Sequence, residues 1–586
     1  MKTLYDFSEI WMADFEYSCD RGEMPKPICL VAKEYKSKKT VRIWEDELLS
    51  MTEAPFENGA DSVFVAYYSP AEFSCFHSLG WALPANVFDL FTEFRAHTNG
   101  RLLNEKSSLL AALKHFGFSS IESAEKDSMR DLALRGGPWT EDEKRALLEY
   151  CESDVEALDL LLPKLNREGQ LAYALQRGRY MKAVSEMEGN GIPINLVSLK
   201  ALREMWPEIQ DQLIIEIDRD YGVYEGKTFK SARFAEWLRK RQIAWPRLES
   251  GQFDFKEETF REMSRSHPEV APIKELRSTL SKMRLNDLAV GGDSRNRTML
   301  SPLRSKTGRN QPSSKHFIFG PAVWLRGLIK PREGYGIAYI DWSQQEFGTA
   351  AALSGDEGML AAYQSDDPYL SFAKQAGAVP ANATKESHGS IREQFKACVL
   401  AVQYGMGEVS LASRIGQSVA KARELLDLHL RTYPVFWKWS DSVVDYAMFN
   451  NELYTVFGWN LFIQENPKVT PNDRSIRNFP MQANGAEMLR LACCLCVENG
   501  ITVCAPVHDA LLIEAPLENL DDQVKLTQEL MAEASRIVLG GFSLKSDADI
   551  YRFPERYMDK RGEKMWEKVW GLVDSRTSQQ GQSINQ

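Results

Sequence analysis

The chain has 586 residues, too many for one hydrophobic core, so several domains are expected. Its hydrophobic share of 44% and aromatic share of 11% exclude a disordered chain. A formal net charge of −11 excludes tethering to a polyanion by overall charge, so any grip on phosphate must come from a local basic stripe. The nine cysteines follow no disulfide framework, and Cys29, Cys75, Cys398 and Cys504 sit in apolar segments, the pattern of reduced thiols. Cys493 and Cys496 form a C-x-x-C inside LRLACCLCVEN, where a helical pattern with no second pair nearby reads as core rather than zinc. No apolar run is long enough to span a membrane, and Met1-Lys2-Thr3 leads into mixed polar sequence. A cytoplasmic protein without a membrane partner is expected.

Residues 10–17, IWMADFEY, read as a strand with Asp14 and Glu16 two apart and so on one face. ICLVAKEY and VRIW follow as second and third strands, and VFVAYY (63–68) as another buried strand. The helix KRALLEYCESDVEALDLLLPKL then places Tyr150 and Asp154 at i, i+4. Each pair alone is more often an ordinary exposed face. Together they are the parts of a two-metal nuclease, with carboxylates for the ions and Tyr150 to orient the attacking water.

From about 166 the pattern is helical, and Gly191-Ile192-Pro193 breaks a helix. Two long helices with a small lobe around 225–255 between them are expected. Between Lys282 and Arg332 stand eleven cations against only Asp287 and Asp293. That local excess predicts a sequence-independent grip on a sugar-phosphate backbone, weakening steeply with salt.

YGIAYI (335–340) reads as a buried strand that ends by presenting Asp341, after which GTAAALSGDEGMLAAYQ has helical periodicity. Ile501 to Val507 ends the same way at His508-Asp509, and LLIEA continues as another strand. An aspartate at a strand end is most often a turn former or a cap. Two such strands can also hold two magnesium ions about 3.5–4 Å apart, the arrangement that clamps attacking and leaving oxygens in phosphoryl transfer. Between them Arg392, Lys396, Leu400 and Tyr404 recur every fourth residue in IREQFKACVLAVQYGMG. On a helix they share one face, two cations for a triphosphate and a ring for a base. Arg474, Asn478 and Gln482 recur likewise, Met481 to Cys496 continues as an apolar helix, and DSRTSQQGQSINQ reads as a disordered tail.

In this order DWSQQE, R-x3-K-x7-YG and VHD resemble the three polymerase motifs of family A DNA polymerases. The likeness covers nearly the whole chain, since the front D-x-E and Y-x3-D resemble the proofreading 3′-5′ exonuclease domain. The resemblance implies a multidomain α/β chain, a ribonuclease-H-like exonuclease domain (1–165) followed by a right-hand polymerase. Its parts would be thumb and start of palm (166–310), palm with motif A (311–360), helical fingers (361–450), palm with motif C (451–573) and a tail (574–586), the palm built on an antiparallel sheet. It implies a monomeric DNA-templated DNA polymerase of phage type, with no 5′-nuclease domain expected ahead of it, working in the bacterial host cytoplasm. Primer-template DNA and deoxynucleoside triphosphates would be the partners, with room for replication accessory proteins. Two Mg2+ ions would serve each active site, with Mn2+ able to substitute.

Carried over residue by residue, the resemblance makes Asp341 and Asp509 the metal-bearing pair, with the Trp342 carbonyl as a further ligand. Lys396 would neutralise the triphosphate and protonate the departing pyrophosphate, Arg392 would meet the γ-phosphate, and Tyr404 would stack near the templating base. Glu346 would crowd the sugar 2′ position, while Gln344 and His508 would line the nucleotide site. Arg309, in SKTGRNQPSS, matches a DNA-gripping T-x-R segment, and Arg474, Asn478 and Gln482 match minor-groove readers. In the front domain Asp14, Glu16 and Asp154 would hold metal beside Tyr150. The middle acid of that site falls on Glu72, with Asp89 competing. Leu400 stands where the family has Phe or Tyr, Gly348 where arginine is common, Tyr369 near a triphosphate-contacting His, and Ala510 in place of an acid. None of these departures removes a metal ligand, so activity with altered nucleotide preference or fidelity is expected. Single-subunit RNA polymerases share related motifs, but Glu346 and the exonuclease-like front argue against them.

Overall fold

The computed structural model describes residues 3–583 apart from 102–106, 119–122, 249, 283–284, 321, 404 and 464–471. The front part rests on a five-stranded sheet. Strands β1 (Glu9–Ser18), β2 (Lys26–Glu34) and β3 (Thr40–Trp44) pair antiparallel, while β4 (Ser62–Ala66) and β5 (Val87–Asp89) extend the other edge in parallel, giving the order β3-β2-β1-β4-β5. Parallel neighbours need a crossover, which α1 (Ser69–Leu79) supplies between β4 and β5. After β5 come α2 (Leu90–Thr98), α3 (Ser123–Arg135) and the long α4 (Glu141–Leu165). Alternation along β1 separates two cores: Ile10 and Met12 pack with Val155, Leu158 and Leu162 of α4, whereas Trp11, Ala13 and Phe15 pack with Phe73 and Phe76 of α1. Asp14 and Glu16 continue the α4 side.

The next helix, α5 (Leu171–Asn190), passes so close to β5 that a Cβ on Gly178 would stand 1.9 Å from the Val87 carbonyl oxygen. Beside this contact, at the preceding residue, Arg177 meets Glu93 of α2 through two hydrogen bonds, 2.6 and 2.8 Å, with both side chains nearly inaccessible. Arg177→Ala would remove both short hydrogen bonds to buried Glu93 and leave only Arg167, 3.9 Å away, as a counter-charge, so a loss of about 3 kcal/mol is expected in urea unfolding. A loss below about 1 kcal/mol would show that Arg167 or water takes over the charge of Glu93.

The larger core runs from Tyr180 to Val573. It begins with α6 (Leu196–Asp218) and α7 (Ala271–Lys282), and the lobe between them is held by Phe229, Phe234, Trp245 and Phe260. Only the first of these helices is long, 23 residues against 12. Then come β6 (Tyr335–Trp342), α8 (Gln345–Ser354), α9 (Pro368–Gln375), α10 (Lys385–Gln403), α11 (Asp473–Glu498), β7 (Thr502–Val507), β8 (Ala510–Pro516), α12 (Leu520–Val538), β9 (Ser546–Arg552) and α13 (Glu563–Ser583). The four strands form one antiparallel sheet in the order β7-β8-β6-β9. Helix α11 packs against β7, α12 and α8, with Cys493, Cys494 and Cys496 buried.

The tail read as disordered from 574 is corrected by α13, which continues to Ser583. Met565, Trp566, Val569 and Val573 anchor its start at helical spacing, and a helix nucleated by such packing adds polar residues at little cost. No helix among the described residues is long and apolar enough to cross a membrane.

Candidate active sites

The four-stranded sheet sets Asp341 between Ala510 of β8 and Asp547 of β9. The hairpin joining β7 to β8 is His508-Asp509, and the Trp342 amide donates to the Asp509 carbonyl at 3.3 Å, which ties the two aspartate-bearing turns together. On the other side Ser343 donates through its amide to the Lys545 carbonyl (2.9 Å) and through its hydroxyl to Asp547 (2.5 Å). Both turns are strained: Gln344 has φ +48° and His508 φ +61°, left-handed values that cost a non-glycine residue and persist where surrounding structure imposes them.

Burial pushes the Asp341 carboxyl up to about 6, with Asp509, Asp547 and Asp549 adding repulsion. Burial also raises Asp509, against the opposing fields of His508 and Arg309. Asp547 and Asp549 were not singled out from the sequence, although the D-x-D alternation in SDADIYR puts both on the Asp341 face of β9. Carboxylates crowded at one sheet end suit a hard divalent cation, and oxygen donors are what magnesium takes. No three acid, thiol or imidazole groups among the described residues stand as a finished metal cage.

Beside this edge lies a cleft of about 270 Å³ lined by Arg309, Gln344, Gln345, Glu346, Phe347, Tyr369, Leu400, Gln403, His508 and Asp509. Most of the nucleotide-site residues expected from sequence thus converge. Arg309 donates to Glu346 at 3.3 Å, so it is anchored inside the cleft. Arg392 is held by Asp367 at 2.5 Å and by Glu393, and it and Lys396 lie 5.3 and 5.8 Å from the ring of Tyr369. Tyr404 lies outside the described residues. Gln345 and Gln403, also not anticipated, are buried with their side-chain amide nitrogens unpartnered among the described residues. Arg474, Asn478 and Gln482 share the accessible face of α11, opposite buried Ile476, Phe479 and Met481.

The basic run is a correction. Arg295 pairs with buried Glu514 (2.6 Å), Arg297 with Asp293 (2.5 Å) and Arg326 with Asp559 (2.7 Å), charge-assisted bonds that hold these side chains within the fold. Arg304, Lys306 and Lys315 are exposed. Any phosphate grip from this segment is therefore narrower than eleven cations imply.

In the front part Asp14 and Glu16 face α4, and a register shift at Glu16/Tyr17 re-aims the end of β1. Cys151 donates its thiol to the Asp14 carbonyl at 3.1 Å. Glu72, in the first turn of α1, is buried and accepts from the Phe15 amide at 2.8 Å. Tyr68, at φ +74°, makes the tight entry into that helix. Asp89 is elsewhere engaged: it accepts from the Ser69 amide and hydroxyl (2.6 and 2.7 Å) and caps α2 through Thr92 (2.9 Å). Geometry therefore brings Glu72, not Asp89, to the other acids. Asp154 is bound by Lys126, whose ammonium lies 3.0 and 2.7 Å from its two oxygens.

Burial raises Asp14, Glu16 and Glu72, and the acids raise one another further. Burial, followed by Asp154, keeps the Tyr150 phenol protonated. A carboxyl raised in the folded state binds protons more tightly there than when unfolded, so stability is lost as pH climbs through the raised value. For Asp341 that window runs from the ordinary carboxylate range to about 6, and for Asp14 it extends to about 8. Chelated protein is expected to melt lower at pH 8 than at pH 6, with added Mg2+ restoring more at pH 8. Equal Mg2+ effects at both pH values in calorimetry would contradict this.

Residues 314–550 match the family model described as DNA polymerase family A. DNA polymerase I of Chloroflexus aurantiacus is 23% identical over 461 residues, covering 72% of this chain and 48% of that protein. The thermostable DNA polymerase I of Thermus aquaticus is 23% identical over 437 residues, 68% of this chain and 50% of that one. The chain spans about half the length of these curated relatives. Among solved structures, the POL domain of Pol1 from M. smegmatis, in complex with DNA primer-template and dNTP, shares the fold with a TM-score of 0.69 at 18% identity, over 92% of this chain and 95% of that one. The likeness to the family A DNA polymerases is thus carried in sequence by residues 314–550 and in fold by nearly the whole chain.

Proposed function

We propose that the chain is a DNA-templated DNA polymerase that extends a primer 3′ end, with a proofreading 3′-5′ exonuclease in its front part. The observation that carries the first half is the pairing of Asp341 and Asp509 on adjoining turns at one end of the Glu346-Leu400 cleft. When bound there, magnesium supplies a lowered pKa for the primer hydroxyl and charge neutralisation for departing pyrophosphate.

The chain's own residues do the rest. Asp341 and Asp509 hold the reacting end in register with the sheet edge, and Asp547 adds negative charge that favours a cation there. Lys396 meets the triphosphate and protonates the pyrophosphate as it leaves, while Arg392 exchanges Asp367 for the γ-phosphate. Glu346, fixed by Arg309, blocks the space a 2′-hydroxyl would need, and Leu400 offers the sugar a small apolar contact instead of a ring. Helix α11 follows the minor groove with Arg474, Asn478 and Gln482, checking pair geometry through acceptors common to all base pairs.

The front sheet, with three antiparallel strands extended by two parallel ones, suits a ribonuclease-H-like nuclease. Asp14, Glu16, Glu72 and Asp154 would hold the metal, and the neutral Tyr150 phenol would orient the attacking water.

Supplying one deoxynucleotide at a time to a primer-template tests the polymerase reading. Extension should stop wherever the template calls for the next base. Glu346→Ala should narrow the preference for deoxy- over ribonucleotides by about 10- to 100-fold, the scale of one small group in a fitted pocket. DNA binding without magnesium-dependent turnover would mean a scaffold with decayed centres.

A further inference from the structure

Lys126 stands inside the front carboxylate cluster, at a position the nuclease reading leaves unused. Helix α3 packs on β1 and lays this lysine across the mouth of the cluster, with both oxygens of Asp154 accepting from its ammonium at 3.0 and 2.7 Å. The same ammonium lies 5.5 Å from the ring of Tyr150. One ammonium thus bonds Asp154 and lies over Tyr150, the two residues of α4 expected to serve the site. Nothing comparable occupies the other centre, where no lysine or arginine is hydrogen-bonded to the Asp341 or Asp509 carboxylates among the described residues.

We propose that Lys126 is an internal counter-ion that competes with a divalent metal for Asp154 and so sets the metal concentration at which the front site works. The proposal rests on the nuclease reading of that site. A magnesium ion binds carboxylate oxygen at about 2.0–2.1 Å, which would put it only about 4 Å from an ammonium hydrogen-bonded to the same group. At that separation like charges repel strongly even with partial screening. Either the ammonium swings away or the ion binds weakly. The lysine side chain is partly exposed, and its flexible stem lets it leave towards solvent. At low metal the chain would then extend primers while the front site stays closed by its own lysine, and shortening would begin only at higher metal.

The test uses Lys126→Met and Lys126→Gln, which remove the charge, and Lys126→Arg, which keeps it. In an Asp341→Ala/Asp509→Ala background only the front site reports, and Mn2+ binding at pH 8.5 is followed by electron paramagnetic resonance. The neutral variants should bind Mn2+ about tenfold more tightly than the parent, the size of effect that one neighbouring charge has on a carboxylate. Lys126→Arg should stay near the parent. In the polymerase-competent chain, the Mg2+ concentration for half-maximal shortening of a single-stranded oligonucleotide should fall similarly in Lys126→Met and Lys126→Gln, with that for extension unmoved, which also verifies folding. Unchanged or weaker Mn2+ binding in both neutral variants overturns the proposal, whether or not DNA is shortened. Tighter Mn2+ binding without shortening in any variant supports the competition and removes the nuclease reading.

Discussion

Asp509→Ala is expected to reduce primer extension at least about a thousandfold while leaving primer shortening untouched. The magnitude follows from losing several kcal/mol of charge stabilisation in the phosphoryl-transfer step, at a factor of ten for each 1.4 kcal/mol. The fold should survive, because the contact that Asp509 makes with Trp342 uses its backbone carbonyl and the substitution leaves it in place. Removing the carboxylate also relieves Asp341 of its largest charge repulsion, so chelated Asp509→Ala should melt no lower than the parent. Asp341→Ala should match it in activity. Asp547→Asn, which keeps an acceptor for Ser343, should cost much less. A loss below tenfold in single-turnover extension by Asp509→Ala would place the chemistry elsewhere.

Asp14→Ala should do the reverse, abolishing shortening by a similar factor with extension intact. Glu72 and Asp89 are separated by the same assay. Glu72→Gln keeps an oxygen for the Phe15 amide but loses the charge near Asp14, so shortening should fall about 10- to 100-fold. Asp89→Asn keeps a capping oxygen for α2 and should leave shortening near the parent level. Full loss in Asp89→Asn with a silent Glu72→Gln would contradict the geometry.

What was legible in the sequence was whatever period and local order express. Asp341 and Asp509 stood out because an apolar strand ends at an acid, Asp14 and Glu16 because they alternate on one strand face, and the α10 residues because they recur every fourth position. Glu72 could not be decided by spacing, since it reaches the cluster through the placement of α1 as a crossover, and Asp89 differs only by being consumed as a cap. The basic run misled for a related reason. A count of cations says nothing of Glu514 or Asp559, which lie over two hundred residues away and take Arg295 and Arg326 inward. Lys126 sits in a helix of unremarkable polarity, and only tertiary packing shows that it meets Asp154. Asp547 and Asp549 were within reach, because their alternation repeats that of Asp14 and Glu16.

The most direct measurement follows one end-labelled primer, annealed to a template in magnesium, with unaltered protein, with and without the four deoxynucleotides. Two carboxylate centres on one chain should lengthen the primer to the template end when nucleotides are present and shorten it when they are absent. A primer that stays at its starting length under both conditions, although bound, would contradict the assignment of Asp341 and Asp509 as a catalytic pair.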